Sequence, residues 1–171
     1  DSIKLVLVQK IKEMTGVSRV AHEILPPVGA PSFFMSLTYK GKNEVQVNAV
    51  ARGGDENLIP LYQMRLLAGR NLQHSDSTDE LVINQTFANA LGFVHPADAI
   101  GKLLYTDTAS RTPAAVRNRV LPIVGVITDV NEYSLHEAIK PMVIAHIPAL
   151  ESRLAVKLDT RGRQLVDVKT I

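Results

Sequence analysis

Four polar residues between positions 129 and 137 have the side-chain types of a hydrolase triad: Ser134, His136 and the acids Asp129 and Glu137. A triad requires a base that activates the nucleophile and a third group that orients the base. Closeness in sequence provides neither, and the Gly-x-Ser-x-Gly turn of many serine hydrolases is absent. The pattern favours a polar turn before a strand, so we predict no catalytic residue.

Metal ligands are the second kind of chemistry to consider. No histidine pair has the His-x-x-x-His or His-Glu-x-x-His spacing of zinc sites. The acidic run of Asp76, Asp79 and Glu80 does not match the calcium-binding loop of an EF-hand, and is typical of a solvated turn. We therefore predict no metal site, and we interpret the histidines as surface or packed side chains: His22, His74, His95, His136 and His146.

The glycines do not form a phosphate-binding loop. Neither Gly53-Gly54 nor Gly69 lies in a Gly-x-Gly-x-x-Gly or Gly-x-x-x-x-Gly-Lys-Ser/Thr motif. Gly69 instead predicts a turn, at which Arg70 pairs with a carboxylate or with carbonyl groups at a strand end. We predict no cofactor.

Two surface features could bind a partner. Arg111, Arg117 and Arg119 lie in a long loop with only Asp107 close by, and such a loop could meet lipid headgroups or an acidic protein. A solvated hairpin tip is the interpretation that we favour. The apolar run 33–37 could form an exposed patch, but its alternation favours core packing.

Composition indicates one globular domain and excludes several classes of protein. The chain has 171 residues, of which 46% are hydrophobic and 21% charged. A net charge of +2, with 5% aromatic residues and no tryptophan, argues against nucleic-acid binding. The absence of cysteine excludes disulfides and thiolate zinc sites. No segment has the length of a membrane-spanning helix or the pattern of a signal peptide, so we expect the chain as given to be soluble.

The elements that position these residues follow from periodicity and breakers. A helix is predicted from the start of the chain to Gly16, with apolar residues at helical spacing. A hairpin is predicted around the turn 40–43. A second prediction is a strand that runs directly into a helix, which ends at Gly92. The segment 107–118 predicts an excursion between two paired strands, and Gly125 a bulge. Further strands are predicted at 17–25, 102–106, 119–130, 141–147 and 154–160, and a strand and turn at 64–70 (MRLLAGR).

Several blocks occur in a fixed order that resembles a known family. They are 63–72 (QMRLLAGRNL), 81–93 (LVINQTFANALGF), 122–130 (PIVGVITDV) and 134–144 (SLHEAIKPMVI). Together they resemble the periplasmic core domain of MacB/FtsX-like ABC transporter permeases, especially those of Bacteroidetes-type bacteria. The resemblance extends from Ile11 to Leu158.

The resemblance implies an α+β fold, the two-lobed MacB-like periplasmic core domain, with mixed or antiparallel sheets and short helices. Residues 1–171 would form a single extracytoplasmic domain. One lobe would contain about 1–31 and 131–171, including the strands near 142–147 and 154–160, and the other about 32–130. The final part of the family domain would be missing, and membrane helices would flank the segment in the parent permease.

The function implied by the resemblance is non-catalytic. The domain would belong to an inner-membrane protein, face the periplasm, and couple ATP-driven motion of membrane helices to export, lipoprotein handling or signalling. Its partners would be a permease dimer and a cytoplasmic ATPase subunit, with a periplasmic protein, a lipid or a peptide as further candidates. A ligand- or peptide-binding module is the alternative, and a soluble hydrolase a more remote one.

Overall fold

The computed structural model describes residues 2–26, 33–107, 114–131 and 138–159. Its helices are α1 (Ser2–Glu13), α2 (Leu58–Leu61) and α3 (Gln85–Ala90). Short 3₁₀ turns occur at Pro96–Ala99 and Ala114–Val116. The strands are β1 (Val17–Glu23), β2 (Phe33–Lys40), β3 (Glu44–Gly53), β4 (Leu66–Gly69), β5 (Leu81–Asn84), β6 (Leu103–Thr106), β7 (Val120–Ile127), β8 (Met142–Ala145) and β9 (Arg153–Leu158).

Seven strands form one mixed sheet in the order β4-β7-β5-β8-β3-β2-β6. An additional pairing of β6 with β7 closes six of them into a ring, which we call the barrel. β7 pairs with three strands: Val120–Pro122 pairs with β6, residues from Ile123 onward pair with β5, and Gly125–Ile127 also pairs with β4. Closure removes the open edges that a sheet would otherwise expose.

Alternating apolar side chains fill the barrel. On β2, Met35 and Leu37 point inward and are fully buried, while Phe34 on the outer face is exposed. This confirms core packing as the role of most of the run 33–37. Phe87 of α3 and Leu91, just after the helix, belong to the same core. The strand periodicity of two therefore specifies which side chains enter the barrel.

A bulge in β7 shifts the register of its pairing with β5 by one residue. Leu81 pairs with Ile123 and Val82 with Gly125, so Val124 is the extra residue. A side chain at Gly125 would collide with the backbone carbonyl of Arg70. The predicted bulge and close backbone approach at Gly125 are thus confirmed, and the inward side shifts from odd to even positions.

A second sheet lies outside the barrel and consists of β1 and β9, paired antiparallel. We call it the small sheet. Helix α1 packs on it through Val8, which is buried, whereas Val6, Leu7 and Met14 are exposed. The apolar spacing in α1 predicted the helix but does not identify its buried face.

One predicted strand assignment is wrong. The strand near 142–147 was expected in the same lobe as β1 and β9, but β8 lies inside the barrel between β3 and β5. Its four residues are all buried, because Val143 and Ala145 belong to the barrel core, and Met142 and Ile144 to a second apolar cluster with α2. The boundaries of the two lobes themselves stay a prediction. Among the described residues no helix has both the length and the apolar character needed to span a membrane.

Candidate functional site at the junction of the two sheets

The barrel and the small sheet are joined by main-chain hydrogen bonds. The end of β1 meets the end of β3 through a bridge between Glu23 and Gly54. Ile24 N donates to the Gly53 carbonyl at 3.0 Å, and Asp55 N to the His22 carbonyl at 3.1 Å. These bonds connect the ends of the two strands directly.

The two glycines at the end of β3 permit this close approach. A Cβ on Gly54 would lie 2.7 Å from Leu58 Cδ2 and 2.9 Å from the His22 carbonyl oxygen. A Cβ on Gly53 would collide with the Ile24 side chain. Gly53-Gly54 therefore serves backbone packing at the junction.

A buried side-chain pair spans the same junction. The hydroxyl of Tyr62, just after α2, donates to Glu23 Oε2 at 2.9 Å. Glu23 is only 5% exposed. Burial raises the pKa of the Glu23 carboxyl, while Tyr62 and then the positive charges of Arg153 and Arg52 oppose the rise. Burial and the neighbouring Glu23 raise the pKa of the Tyr62 hydroxyl.

Asp55 supports the junction from the barrel side. Its carboxylate accepts from His22 N at 3.1 Å and from Asn57 N at 3.0 Å, which lies just before α2. Carboxylates that accept main-chain N–H groups hold both segments in one geometry. Asp55 thus links β1 to the start of α2.

The chain crosses between the sheets again after β8. His146 Nδ1 lies 2.9 Å from Glu151 Oε1, and Ile147 N donates to the same oxygen at 2.7 Å. The connection from the barrel to β9 is therefore folded around one buried carboxylate.

The triad interpretation can be examined only at Asp129, because Ser134, His136 and Glu137 lie outside the described residues. The Asp129 carboxylate accepts from Thr86 N and from Thr86 Oγ1, both at 2.9 Å. It fastens the first turn of α3, which is a structural role.

The predicted turn pairing of Arg70 is confirmed. Gly69 has φ +71°, and Arg70 donates to Glu80 through two bonds of 2.9 and 2.6 Å. This fork geometry is the strong form of an arginine–carboxylate pair. The pairing lowers the pKa of Glu80 and raises that of Arg70.

Serine hydroxyls bind the acidic side chain of Asp79 in the loop 73–80, which we call the acidic loop. Asp79 accepts from Ser75 Oγ at 2.5 Å and from Ser77 Oγ at 2.7 and 2.8 Å. These bonds, first the one from Ser75, lower the pKa of Asp79. Within the described ranges no cluster of three or more histidine and acidic side chains could hold a metal ion.

Two of the three arginines assigned to the long loop, Arg117 and Arg119, lie among the described residues. Arg111 lies outside the described residues. Arg119 donates to the Thr78 carbonyl at 2.8 Å and lies 3.7 Å from Asp79. Its charge is directed to the acidic loop, which reduces what it offers to lipid or an acidic partner.

Sequence reasoning missed the residues that define the junction. Glu23, Tyr62 and Glu151 lie far apart in sequence and belong to no short motif. The one signal that could have indicated them is an acidic residue at the end of an apolar strand, because a buried carboxylate needs donors.

Comparisons with known proteins find similarity in structure only. No known protein-family profile matches the chain, and no curated protein matches it in sequence. The extracellular domain of the noncanonical ABC-type transporter YknZ from Gram-positive bacteria is 10% identical, with a TM-score of 0.54 over 92% of this chain and 74% of that one.

Two further structures are similar. The periplasmic region of MacB from Actinobacillus actinomycetemcomitans is 13% identical, with a TM-score of 0.57 over 91% of this chain and 64% of that one. A domain of a putative permease protein from Porphyromonas gingivalis is 15% identical, with a TM-score of 0.57 over 91% and 66%. The chain thus spans about two thirds to three quarters of each, and it has the α+β fold of the extracytoplasmic domains of MacB- and YknZ-type ABC transporter permeases.

Proposed function

We propose that this chain is a non-catalytic extracytoplasmic domain of an ABC transporter permease, which passes motion of membrane helices to the outside. The similarity of fold over more than nine tenths of the chain is the observation that supports this role. In the proposed setting the domain faces the periplasm, and a permease dimer and a cytoplasmic ATPase are its partners. Export, lipoprotein handling and signalling are the outputs that we consider.

The junction supports a mechanical role. Two chain crossings, direct main-chain bonds and the buried pair of Glu23 and Tyr62 connect the sheets. A part that transmits displacement has to resist deformation, and close-packed interiors do so. Acid or base catalysis is not needed for this task.

Three pockets lined by described residues bear on the binding-module alternative. They measure about 170, 180 and 300 Å³. Typical small-molecule sites are apolar clefts of about 300–1,000 Å³. The 300 Å³ pocket is open to solvent. Most of the side chains that line it are polar: Lys12, Ser18, Arg19 and Asn57.

Location can be tested with reporters in the parent open reading frame. The β2–β3 turn is exposed from Lys40 to Asn43, so it should tolerate an inserted domain. Alkaline phosphatase inserted after Lys42 should be active, because this enzyme requires an extracytoplasmic location. Green fluorescent protein at the same position is the matched control and should be dark. A fluorescent control with inactive phosphatase would place the chain in the cytoplasm and refute the proposal.

Coupling can be tested separately in the complete permease. Gly54→Ala should reduce the transport or signalling output per ATP hydrolysed, because a Cβ would force the sheets apart at the junction. Asn89→Ala, on the exposed side of α3, is the control. Equal output from both variants would refute the mechanical role and leave the location unaffected.

A further inference from the structure

The second crossing between the sheets contains a histidine whose ring contacts a buried carboxylate. His146 follows β8 directly, and its ring Nδ1 contacts Glu151 Oε1 at 2.9 Å. The side chains of His146 and Glu151 are 15% and 3% exposed. Glu151 also accepts from Ile147 N, so the carboxylate cannot turn away without breaking the crossing.

The same histidine is attached to the loop 73–80. Thr78 Oγ1 donates to the His146 carbonyl oxygen at 2.5 Å. Ser75 and Ser77 line the same pocket as the His146 ring. His146 therefore joins three segments: the end of β8, the turn before β9 and the acidic loop.

The charged groups that face His146 are mainly acidic. Glu151 is in direct contact, and Asp55 and Asp79 act on the ring through space. His74 and Glu80 line the same pocket, which measures about 180 Å³. Two of these acids are balanced by cations, Glu80 by Arg70 and Asp79 by Arg119.

We propose that His146 is a proton-dependent clamp on the β8–β9 crossing, to which Thr78 attaches the loop 73–80. As an imidazolium the ring makes a hydrogen bond to the Glu151 carboxylate in which both partners are charged, and charge-assisted bonds are the strong ones. A neutral imidazole loses its own charge and with it much of the attraction to Glu151. Loss of the proton therefore loosens the crossing, and the loop attached to the His146 carbonyl loosens with it.

The direction of the pH effect follows from the surroundings. The hydrogen bond to Glu151 raises the pKa of His146 above its ordinary value, although burial opposes the rise. The stabilisation is therefore fully present below the unfolded-state pKa of about 6.5 and is lost as the pH rises through the folded-state pKa. An acidic environment tightens the clamp, and an alkaline one loosens it.

Amide hydrogen exchange on the complete chain tests the proposal at the segments concerned. After correction for intrinsic exchange rates, protection of Ile147 and of residues 75–78 should fall severalfold between about pH 6 and about pH 8, the range in which histidine changes charge. In His146→Gln, protection should be low and independent of pH. His95→Gln, which replaces an exposed histidine, should behave as the unmodified chain does.

A second measurement covers variants that fail to fold. The imidazole titration of His146, followed by NMR, should have a midpoint above the ordinary histidine value in the unmodified chain and a lower midpoint in Glu151→Gln. Protection that does not change with pH, or a His146 midpoint below the ordinary value, would overturn the clamp. Neither result depends on whether the chain belongs to a transporter, so failure here leaves the proposed function standing.

Discussion

At the residue scale, Gly69 has a backbone conformation and surroundings that disfavour any residue with a side chain. Its φ of +71° is in the left-handed region, and an added Cβ would collide with the Val124 carbonyl and lie 2.7 Å from Ile100 Cδ1. Strain in this region costs about 1–3 kcal/mol for a residue with a side chain. The turn between β4 and Arg70 therefore depends on glycine both for its backbone angle and for space.

We expect Gly69→Ala to lower the free energy of unfolding by more than Gly92→Ala does. Gly92 has a similar φ of +91°, but a Cβ there meets nothing within 4 Å. Both variants share the backbone strain, so the difference measures the steric clash with β7. Urea denaturation gives both values, and equal midpoints would show that the close approach is not rigid.

A second prediction concerns the buried pair at the junction. Tyr62→Phe removes the donor to Glu23 Oε2 while keeping the ring. A buried acceptor without its donor costs about 1–3 kcal/mol. Thermal or urea unfolding should show this loss. Tyr105→Phe is the control, because Tyr105 lies on the outer face of β6, and it should change stability by less than about 0.5 kcal/mol.

The raised pKa of Glu23 predicts a dependence on pH with a definite sign. A carboxyl whose folded pKa is raised binds its proton more tightly in the folded state, so stability falls as the pH rises from the unfolded value of 4.5 through the folded one. Glu23→Gln cannot ionise, so its stability relative to the unmodified chain should increase over that range. Unfolding curves at several pH values test this, and a parallel profile for both proteins would contradict it.

At the element scale, Asn84 connects α3 to the barrel. Its Oδ1 accepts from Phe87 N at 3.0 Å, as an N-cap does, and from Met142 N at 2.9 Å, while its Nδ2 donates to the Lys140 carbonyl at 3.0 Å. The side chain is fully buried. One amide therefore starts a helix and positions the beginning of β8.

Asn84→Ala should be among the more destabilising single substitutions in the barrel. Loss of an N-cap costs about 0.5–2 kcal/mol, and a buried N–H without a partner about 1–3 kcal/mol. Asn89→Ala, on the exposed side of the same helix, should be neutral or slightly stabilising, since alanine favours helix. Urea midpoints compare the two, and equal values would refute the dual role of Asn84.

At the scale of the whole molecule, we expect the isolated chain to be a monomer or only weakly associated. Closure of the barrel leaves few open strand edges, and the proposed dimer depends on membrane helices of the parent permease. Light scattering after size-exclusion chromatography measures the mass. A tight dimer that buries well over about 1,600 Å² of surface would contradict the expectation.

Most of the elements could be predicted from local sequence. Alternation predicted β2 and β3, the run Leu81–Asn84 predicted β5, and Gly92 marked the end of α3 with a φ of +91°. These features depend on backbone preferences and on the period of apolar residues, which act over a few positions. The order of the blocks in turn was sufficient to indicate the fold to which they belong.

Only the tertiary structure decided how the elements are joined. β8 is a strand of the barrel because it pairs with β3 and β5. Its apolar run alone would suit any buried strand. Glu23, Tyr62 and the pair of His146 and Glu151 meet across long sequence separations. A sequence pattern reports the burial and periodicity of a segment, whereas contacts between distant segments depend on the packing of the whole chain.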